Sequence, residues 1–393
     1  MTTRATGLLL CLVTLSAILV LGSCQSLREP PQATPAATPT PEQATLLSPP
    51  VATVEPTTPL TPSPVLLFGA GNEERIIAAW PAGQTKQFVA PGSPLYGQPF
   101  SPDGRHMIIE VQRTNREPRQ IAMLNLADGS IEPLHLLTEP YTVHWSPDGR
   151  YLLYAYQQES GAQLVLYEFA TGDNTPIAAM SIISFAAGWS ADGGQIAFMA
   201  NDDGQYDLYV MDVTTQALRR LTNNLAVETA VVWSLVDRTL LVGTTRYDER
   251  VLWEGSPYGV TTLYLIGSDG QSQTLGYYDL ITSPSLAWSP DGQQIAFSEK
   301  GALCILDLAT RQTTCPLTET TPFGDYIAAF GEPPVWSPDN RWLAFRAAGH
   351  DDGSSCDGVY ALELATGAVS IVEEGSCETG PLFWVDDWEG ATH

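Results

Sequence analysis

The chain has 393 residues, and 44 acidic against 18 basic side chains give it a formal charge of −26. That balance excludes phosphate backbones as partners, because gripping them takes a basic footprint, and it disfavours lying on an anionic lipid surface. It fits high solubility or a cationic partner.

The first 23 residues stand apart in composition. "MTTRATG" carries one Arg and no acid, and "LLLCLVTLSAILVLG" (8–22) is apolar. That run is shorter than the ~20 residues a membrane span requires. A basic start, a short apolar run and small residues read as a secretory signal. The stretch "LGSC" (21–24) resembles a bacterial lipobox, which implies cleavage before Cys24 and lipidation of that residue. Residues 1–23 are therefore expected to be a lipoprotein signal peptide. The protein is expected in the bacterial cell envelope, held by lipid alone to the outer face of the cytoplasmic membrane, or to an outer membrane where there is one.

Residues 25–64 hold 11 Pro, 8 Thr and no aromatic residue. Such a segment cannot bury a core, and Pro keeps it extended. At ~3.1 Å per residue it reaches on the order of 100 Å. Residues 24–64 are expected to be a disordered tether, and residues 65–393 the folded domain.

Within that domain one phrase recurs. It reads "FSPDG" at Phe100, "WSPDG" at Trp145, "WSADG" at Trp189, "WSLVD" at Trp233, "WSPDG" at Trp288, "WSPDN" at Trp336 and "WVDDW" at Trp384. The intervals are 45, 44, 44, 55, 48 and 48 residues. A period of that length with strand-like content means a propeller or a similar array. Short apolar runs follow each phrase, such as "YLLYA", "QIAFMA" and "TLLVG", then a second set such as "LVLYEF", "DLYVMDV" and "ALCILDL". With one strand before each aromatic residue and one after the next turn, each repeat holds four strands. "SPDG" fits a type I turn, with Ser first, Pro at i+1, Asp at i+2 and Gly at i+3. The Asp of the phrase is therefore construction, and the Trp is expected to pack between sheets.

Six complete repeats begin near Tyr96, Tyr141, Phe185, Ala230, Ser285 and Pro333. Before them, "VLLFGA", "RIIAAWPA" and "TKQFVA" make three strands without a leading partner, and after them "GPLFWVDD" makes one leading strand. Three and one complete a seventh blade. The expectation is an all-β, seven-bladed β-propeller of four-stranded antiparallel blades, with the ring closed between the N- and C-terminal strands and no exposed edge. The repeats resemble the TolB-type, WD40-like β-propeller family, most closely in "WSPDGQQIAFS" and "DLYVMDVTTQALRRLT". The resemblance covers nearly all of residues 65–393. It implies bacterial export. The family's separate N-terminal α/β domain has no counterpart, and the tether stands in its place.

Six cysteines occur. Cys11 lies in the signal and Cys24 at the lipid site, and Cys304, Cys315, Cys356 and Cys377 allow three pairings. Cys304 and Cys315 flank the hairpin turn "DLATRQ", and Cys356 and Cys377 flank Thr366 and Gly367 in the same way. Two local disulfides suit an oxidising compartment. Free thiols are the alternative. A metal site is disfavoured by the lack of a CxxC or a neighbouring His.

A four-stranded meander puts its first and third turns at one end and its second turn and crossover at the other. The short SPDG and ATG turns fall at the first end, and the length variation falls at the second. "RYDERVLWEGSPYGV" (246–260), "GYYDLITSPS" (276–285) and "TETTPFGDYIAAFGEPP" (318–334) come from consecutive repeats. They carry the candidate ligand-face residues Arg246, Tyr247, Trp253, Tyr258, Tyr277, Tyr278, Phe323, Tyr326 and Phe330. Aromatic side chains on long loops are common binding material. Capping of the protein's own core is the competing reading. The acidic loops "NDDGQYD" and "HDDGSSCDG" lack the closing Glu of a calcium loop. No metal and no cofactor is expected.

No G-x-S-x-G elbow and no H-E-x-x-H occurs. Of the five His, His144 precedes a repeat Trp and would lie on an inner strand. The leading expectation is a non-catalytic binding or scaffold module for a protein, peptide or cell-envelope ligand, without nucleic acid. The alternative is a propeller enzyme of glycan or peptide breakdown that uses His144 or acids near the axis.

Overall fold

The structure is a computed structural model. It describes residues 65–70, 75–79, 85–89, 93–111, 119–140, 142–158, 161–201, 206–223, 227–245, 261–278, 280, 286–299, 302–317, 333–348, 357–373 and 381–385. The expectations on the signal, on Cys24 and on the tether lie outside these residues. Of the two compact units, Met1–Thr57 and Thr58–His393, only the second is described.

That unit is an all-β propeller of antiparallel sheets. Hydrogen bonding sorts its strands into seven sheets. The first sheet joins Leu382–Val385 to Val65–Ala70, Arg75–Ala79 and Thr85–Val89, so it draws on both ends of the domain. The second holds Ser93–Pro94, His106–Val111, Gln120–Asn125 and Ile131–Pro133. The third runs through Thr142–Trp145, Tyr151–Gln158, Gly161–Glu168 and Asn174–Met180. The fourth contains Ile182–Trp189, Gln195–Asn201, Tyr206–Asp212 and Leu218–Arg220. The fifth contains Val227–Trp233, Thr239–Thr245, Thr261–Gly267 and Ser272–Tyr278. The sixth and seventh begin at Ala287–Trp288 and Val335–Trp336 and end at Thr313–Leu317 and Val369–Glu373.

One feature corrects the expectation of four antiparallel strands throughout. Tyr96–Gln98 leaves the second sheet and adds a fifth strand to the third, parallel to Thr142–Trp145, with Gly97 opposite Val143. Gly97 permits this close approach. Its φ is 96°, and a Cβ there would collide with Thr142 and with the carbonyl of Val143. Only glycine combines that backbone conformation with that contact.

Both faces of the central strands are buried. Gln195–Asn201 is interior at five consecutive positions, so it reads as a near-continuous apolar run instead of an alternation. The alternation survives in the partners. Ala197 and Met199 pack with Val231, Trp233 and Leu240 of the fifth sheet. Ile196, Phe198 and Ala200 pack with Leu153 and Ala155 of the third. The first sheet packs in the same way on both of its neighbours, through Leu66 and Phe68 with Ala344 and Val359, and through Val65 and Leu67 with Met107 and Ile109.

The repeat tryptophans do more than fill space. Each indole N–H donates to the carbonyl of the residue preceding the aromatic one in the repeat before. Trp145 bonds Pro99 at 2.9 Å, Trp189 His144 at 3.3 Å and Trp233 Gly188 at 3.0 Å. Trp288 bonds Val232 at 3.3 Å, Trp336 Ala287 at 3.2 Å and Trp384 Val335 at 2.9 Å. Phe100 has no N–H to offer. It stacks on Phe383, with ring centroids 5.3 Å apart. A buried indole and a buried carbonyl both need partners, and one bond between neighbouring sheets serves both.

Candidate binding face

The two ends of the sheets differ in how their polar groups are satisfied. At the SPDG end the turns close on themselves. Gly104 N–H bonds the Ser101 carbonyl at 2.9 Å, and Gly149, Gly193, Gly292 and Asn340 do the same in their repeats. The fourth turn residue is left-handed each time, with φ of 67°, 72°, 68°, 70° and 58°. The Ser hydroxyl donates to the Asp carboxylate, at 2.6 Å in Ser146–Asp148, and accepts the N–H five residues on, at 2.9 Å from Tyr151. The same Asp accepts a second bond from Arg150 N–H at 3.1 Å. Ser101, Ser190, Ser289 and Ser337 repeat this pattern with Asp103, Asp192, Asp291 and Asp339. Backbone N–H of Gly194, with help from Ser190 and Arg238, holds Asp192 below the usual carboxylate range. At Asp148 partial burial works against ionisation and is outweighed by Ser146 and the Arg150 N–H. These acids are braces, as the sequence implied.

The fourth phrase, "WSLVD", breaks the pattern. Val236 stands where the others have Asp. Asp237 stands where they have Gly and bonds Thr239 N–H at 3.0 Å. Leu235 and Val236 are left exposed.

Most of the aromatic residues singled out from sequence at the crossover end lie outside the described residues: Tyr247, Trp253, Tyr258, Phe323, Tyr326 and Phe330, and Arg246 with them. Tyr277 is described. It is 73% exposed on the outermost strand of the fifth sheet. Tyr278 points to the other side. It packs edge-on to Phe297 at 5.0 Å in the core between the fifth and sixth sheets, so at this position the core-capping reading holds. Cys304 and Cys315 form a disulfide between adjacent strands of the sixth sheet. Cys356 and Cys377 lie outside the described residues.

His144 is buried beneath Gly188, where an added Cβ would meet its ring at 2.9 Å. Loss of water pushes its pKa down to about 4, so the ring is neutral near pH 7. Thr142 Oγ1 is its neighbour at 3.4 Å. It is a tightly enclosed side chain on an inner strand.

Sequence reasoning missed a polar cluster at the crossover end of the fourth and fifth sheets. Asp207 is fully buried at the start of a core strand and forms an ion pair with Arg220. Thr222 donates to Asp207 at 3.3 Å and accepts Leu208 N–H at 2.8 Å. Arg220 also donates to the Thr222 carbonyl at 3.0 Å and to Asn223 Oδ1 at 3.2 Å. Glu228 stands beside this network on the inner strand of the fifth sheet, 2% exposed. Burial raises its pKa, and the charge of Asp207 adds to that, against the lowering pull of Thr222 and Arg220. The Tyr264 hydroxyl is pushed up as well, by burial and then by Glu228. The signal was present in "YDLYVMD" and "VETAVVW", where an acid interrupts an otherwise interior strand. Among the described residues no group of three or more His, Cys, Asp or Glu is placed to hold a metal.

Residues 135–247 match the TolB beta propeller domain. The repeats are of the TolB propeller type. One relative is the Tol-Pal system protein TolB of Francisella tularensis subsp. mediasiatica, 34% identical over 85 residues, which are 21% of this chain and 20% of that protein. Another is the uncharacterized peptidase YuxL of Bacillus subtilis, 23% identical over 58% of this chain and 32% of its own length. The chain thus spans about a fifth of the TolB relative and a third of the peptidase. Among solved structures, an oligogalacturonate lyase from Vibrio parahaemolyticus superposes with a TM-score of 0.54 at 14% identity, over 79% of this chain and 85% of that one. A puromycin-hydrolyzing peptidase of Mycobacterium tuberculosis gives 0.53 at 15% identity, over 80% and 52%. These two likenesses concern the fold alone.

Proposed function

We propose that this chain is a non-catalytic binding module of the bacterial envelope, lipid-anchored through Cys24, that holds a protein, peptide or envelope ligand at the crossover end of a TolB-type propeller. On this reading the seven sheets are blades of a ring closed where Val65–Ala70 pairs with Leu382–Val385, and the disulfides stiffen the binding end. The observation that carries the reading is the contrast between the ends. The SPDG turns satisfy their own polar groups, whereas the crossover end bears the 73% exposed Tyr277 and the loop sequences of uneven length.

In-cell crosslinking followed by mass spectrometry tests it, with wild type compared with a Tyr247→Ala, Trp253→Ala, Tyr277→Ala, Tyr326→Ala variant. A partner captured by wild type and lost from the variant is the expected result. Partners retained in full by the variant would move the ligand to another surface. Turnover of a glycan or peptide that disappears in His144→Ala would replace the reading with the catalytic one.

A further inference from the structure

Two carboxylates lie buried at the crossover end between the fourth and fifth sheets, and only one of them is satisfied. Asp207 has Arg220 and Thr222. Glu228, 2% exposed, has no hydrogen bond on either oxygen. Thr222 is the nearest hydroxyl, but it is directed at Asp207 and taken up by Leu208 N–H. A buried carboxylate without a bonded counter-charge is costly, and each such orphan calls for an explanation.

The register of the fifth sheet supplies context. Glu228 stands opposite Thr244, Thr244 opposite Thr262, and Thr262 opposite Tyr277. Residues opposite one another in antiparallel strands share a face. This face is the one turned to the fourth sheet, because Val242 and Tyr264, two residues along from Thr244 and Thr262, pack there. A single row therefore runs from an interior carboxylate past two hydroxyls to an exposed phenol ring. Three strand spacings of ~4.8 Å make it roughly 14 Å long, the reach of about four extended residues.

We infer that Glu228 anchors a subsite for the cationic side chain of a basic peptide, whose backbone crosses Thr244 and Thr262 and whose far end meets Tyr277. A primary ammonium or a guanidinium supplies the donors that both Glu228 oxygens lack. The hydroxyls offer acceptors beside it, and the ring offers an apolar and cation-tolerant platform. The chain's charge of −26 steers such a ligand inward. The inference rests on the reading of this end as the binding face and names the chemistry it takes.

The test uses the full-length chain and two labelled pentapeptides, acetyl-Ala-Lys-Ala-Lys-Ala-amide and the same sequence with norleucine for Lys, titrated by fluorescence anisotropy. Wild type is expected to bind the Lys peptide at least tenfold more tightly. Glu228→Gln is expected to erase that difference, and Asp148→Asn, a charge removed from the opposite end, to leave it. Equal affinity for both peptides in wild type overturns the subsite, as does an equal loss in Asp148→Asn, which would assign the preference to overall charge. Should Glu228→Gln not fold, Thr244→Val and Tyr277→Ala decide: several-fold weakening in both supports the row, and no change in either overturns it. Failure here leaves the crosslinking comparison intact, since partners lost with the loop tyrosines do not depend on Glu228.

Discussion

Asp148 and Glu228 are carboxylates of one domain with opposite circumstances. Asp148 sits in a turn at the repeated end, accepts bonds from Ser146 and from Arg150 N–H, and is held below the ordinary carboxylate range. Glu228 sits at the crossover end, lacks a bond on either oxygen, and is held above that range. The difference teaches that acid content alone marks no site. The acids of the SPDG turns are numerous, exposed and fully employed in closing hairpins. The acid that is left unemployed is buried, single and beside the end where the loop lengths vary.

The largest effect expected at the repeated end comes from a tryptophan. Trp189→Ala removes a buried ring and leaves the His144 carbonyl without its donor, and the expected loss is about 3–5 kcal/mol in denaturant unfolding. Trp189→Phe keeps most of the packing and loses the bond, for about 1 kcal/mol. Equal losses from the two would mean that the indole bond contributes more than the ring.

The acids sharpen the comparison directly. Asp148→Ala is expected to destabilise by about 1 kcal/mol, since it removes the acceptor for both the Ser146 hydroxyl and Arg150 N–H. Glu228→Gln is expected to do the reverse, adding about 1 kcal/mol near neutral pH, because a buried charge is replaced by a neutral amide of the same shape. The pH dependence carries the sign. The folded-state pKa of Glu228 is raised, so its penalty is absent below the model value of 4.5 and grows as pH rises through the folded value. Asp148 is lowered, so its contribution is present above 3.8 and is lost as pH falls through the folded value. Unfolding measured from pH 4 to 8 should show the Glu228→Gln advantage shrinking toward acid. A constant advantage would show that Glu228 is not the titrating group.

The smallest effect concerns the opposite turns of the repeated end. Arg311 holds a left-handed conformation at φ 59°, a position filled by glycine in the turns at Gly129, Gly172 and Gly367. Arg311→Gly relieves that conformation but loosens the unfolded chain, so the net gain is expected to be a few tenths of a kcal/mol, read from the thermal midpoint. A loss would mean that the Arg311 side chain contributes more than its backbone gives up.

Much of this architecture was legible along the chain because its causes are local and recur. A type I turn needs Ser, Pro, Asp and a left-handed residue within four positions, so "SPDG" can be read wherever it stands. Cys304 and Cys315 are separated by 11 residues across one hairpin, and their bond follows from that nearness. What the sequence by itself determined is therefore the strands, their turns, the period, and the Asp residues as braces. What only the tertiary structure decided lies between repeats. The acceptor of the Trp189 indole is 45 residues away, the parallel step of Tyr96–Gln98 depends on the next sheet, and the isolation of Glu228 depends on where Thr222 and Arg220 turn their donors. These are contacts between segments that meet only when neighbouring sheets pack, and no pattern within one segment records which groups its neighbours leave unpaired.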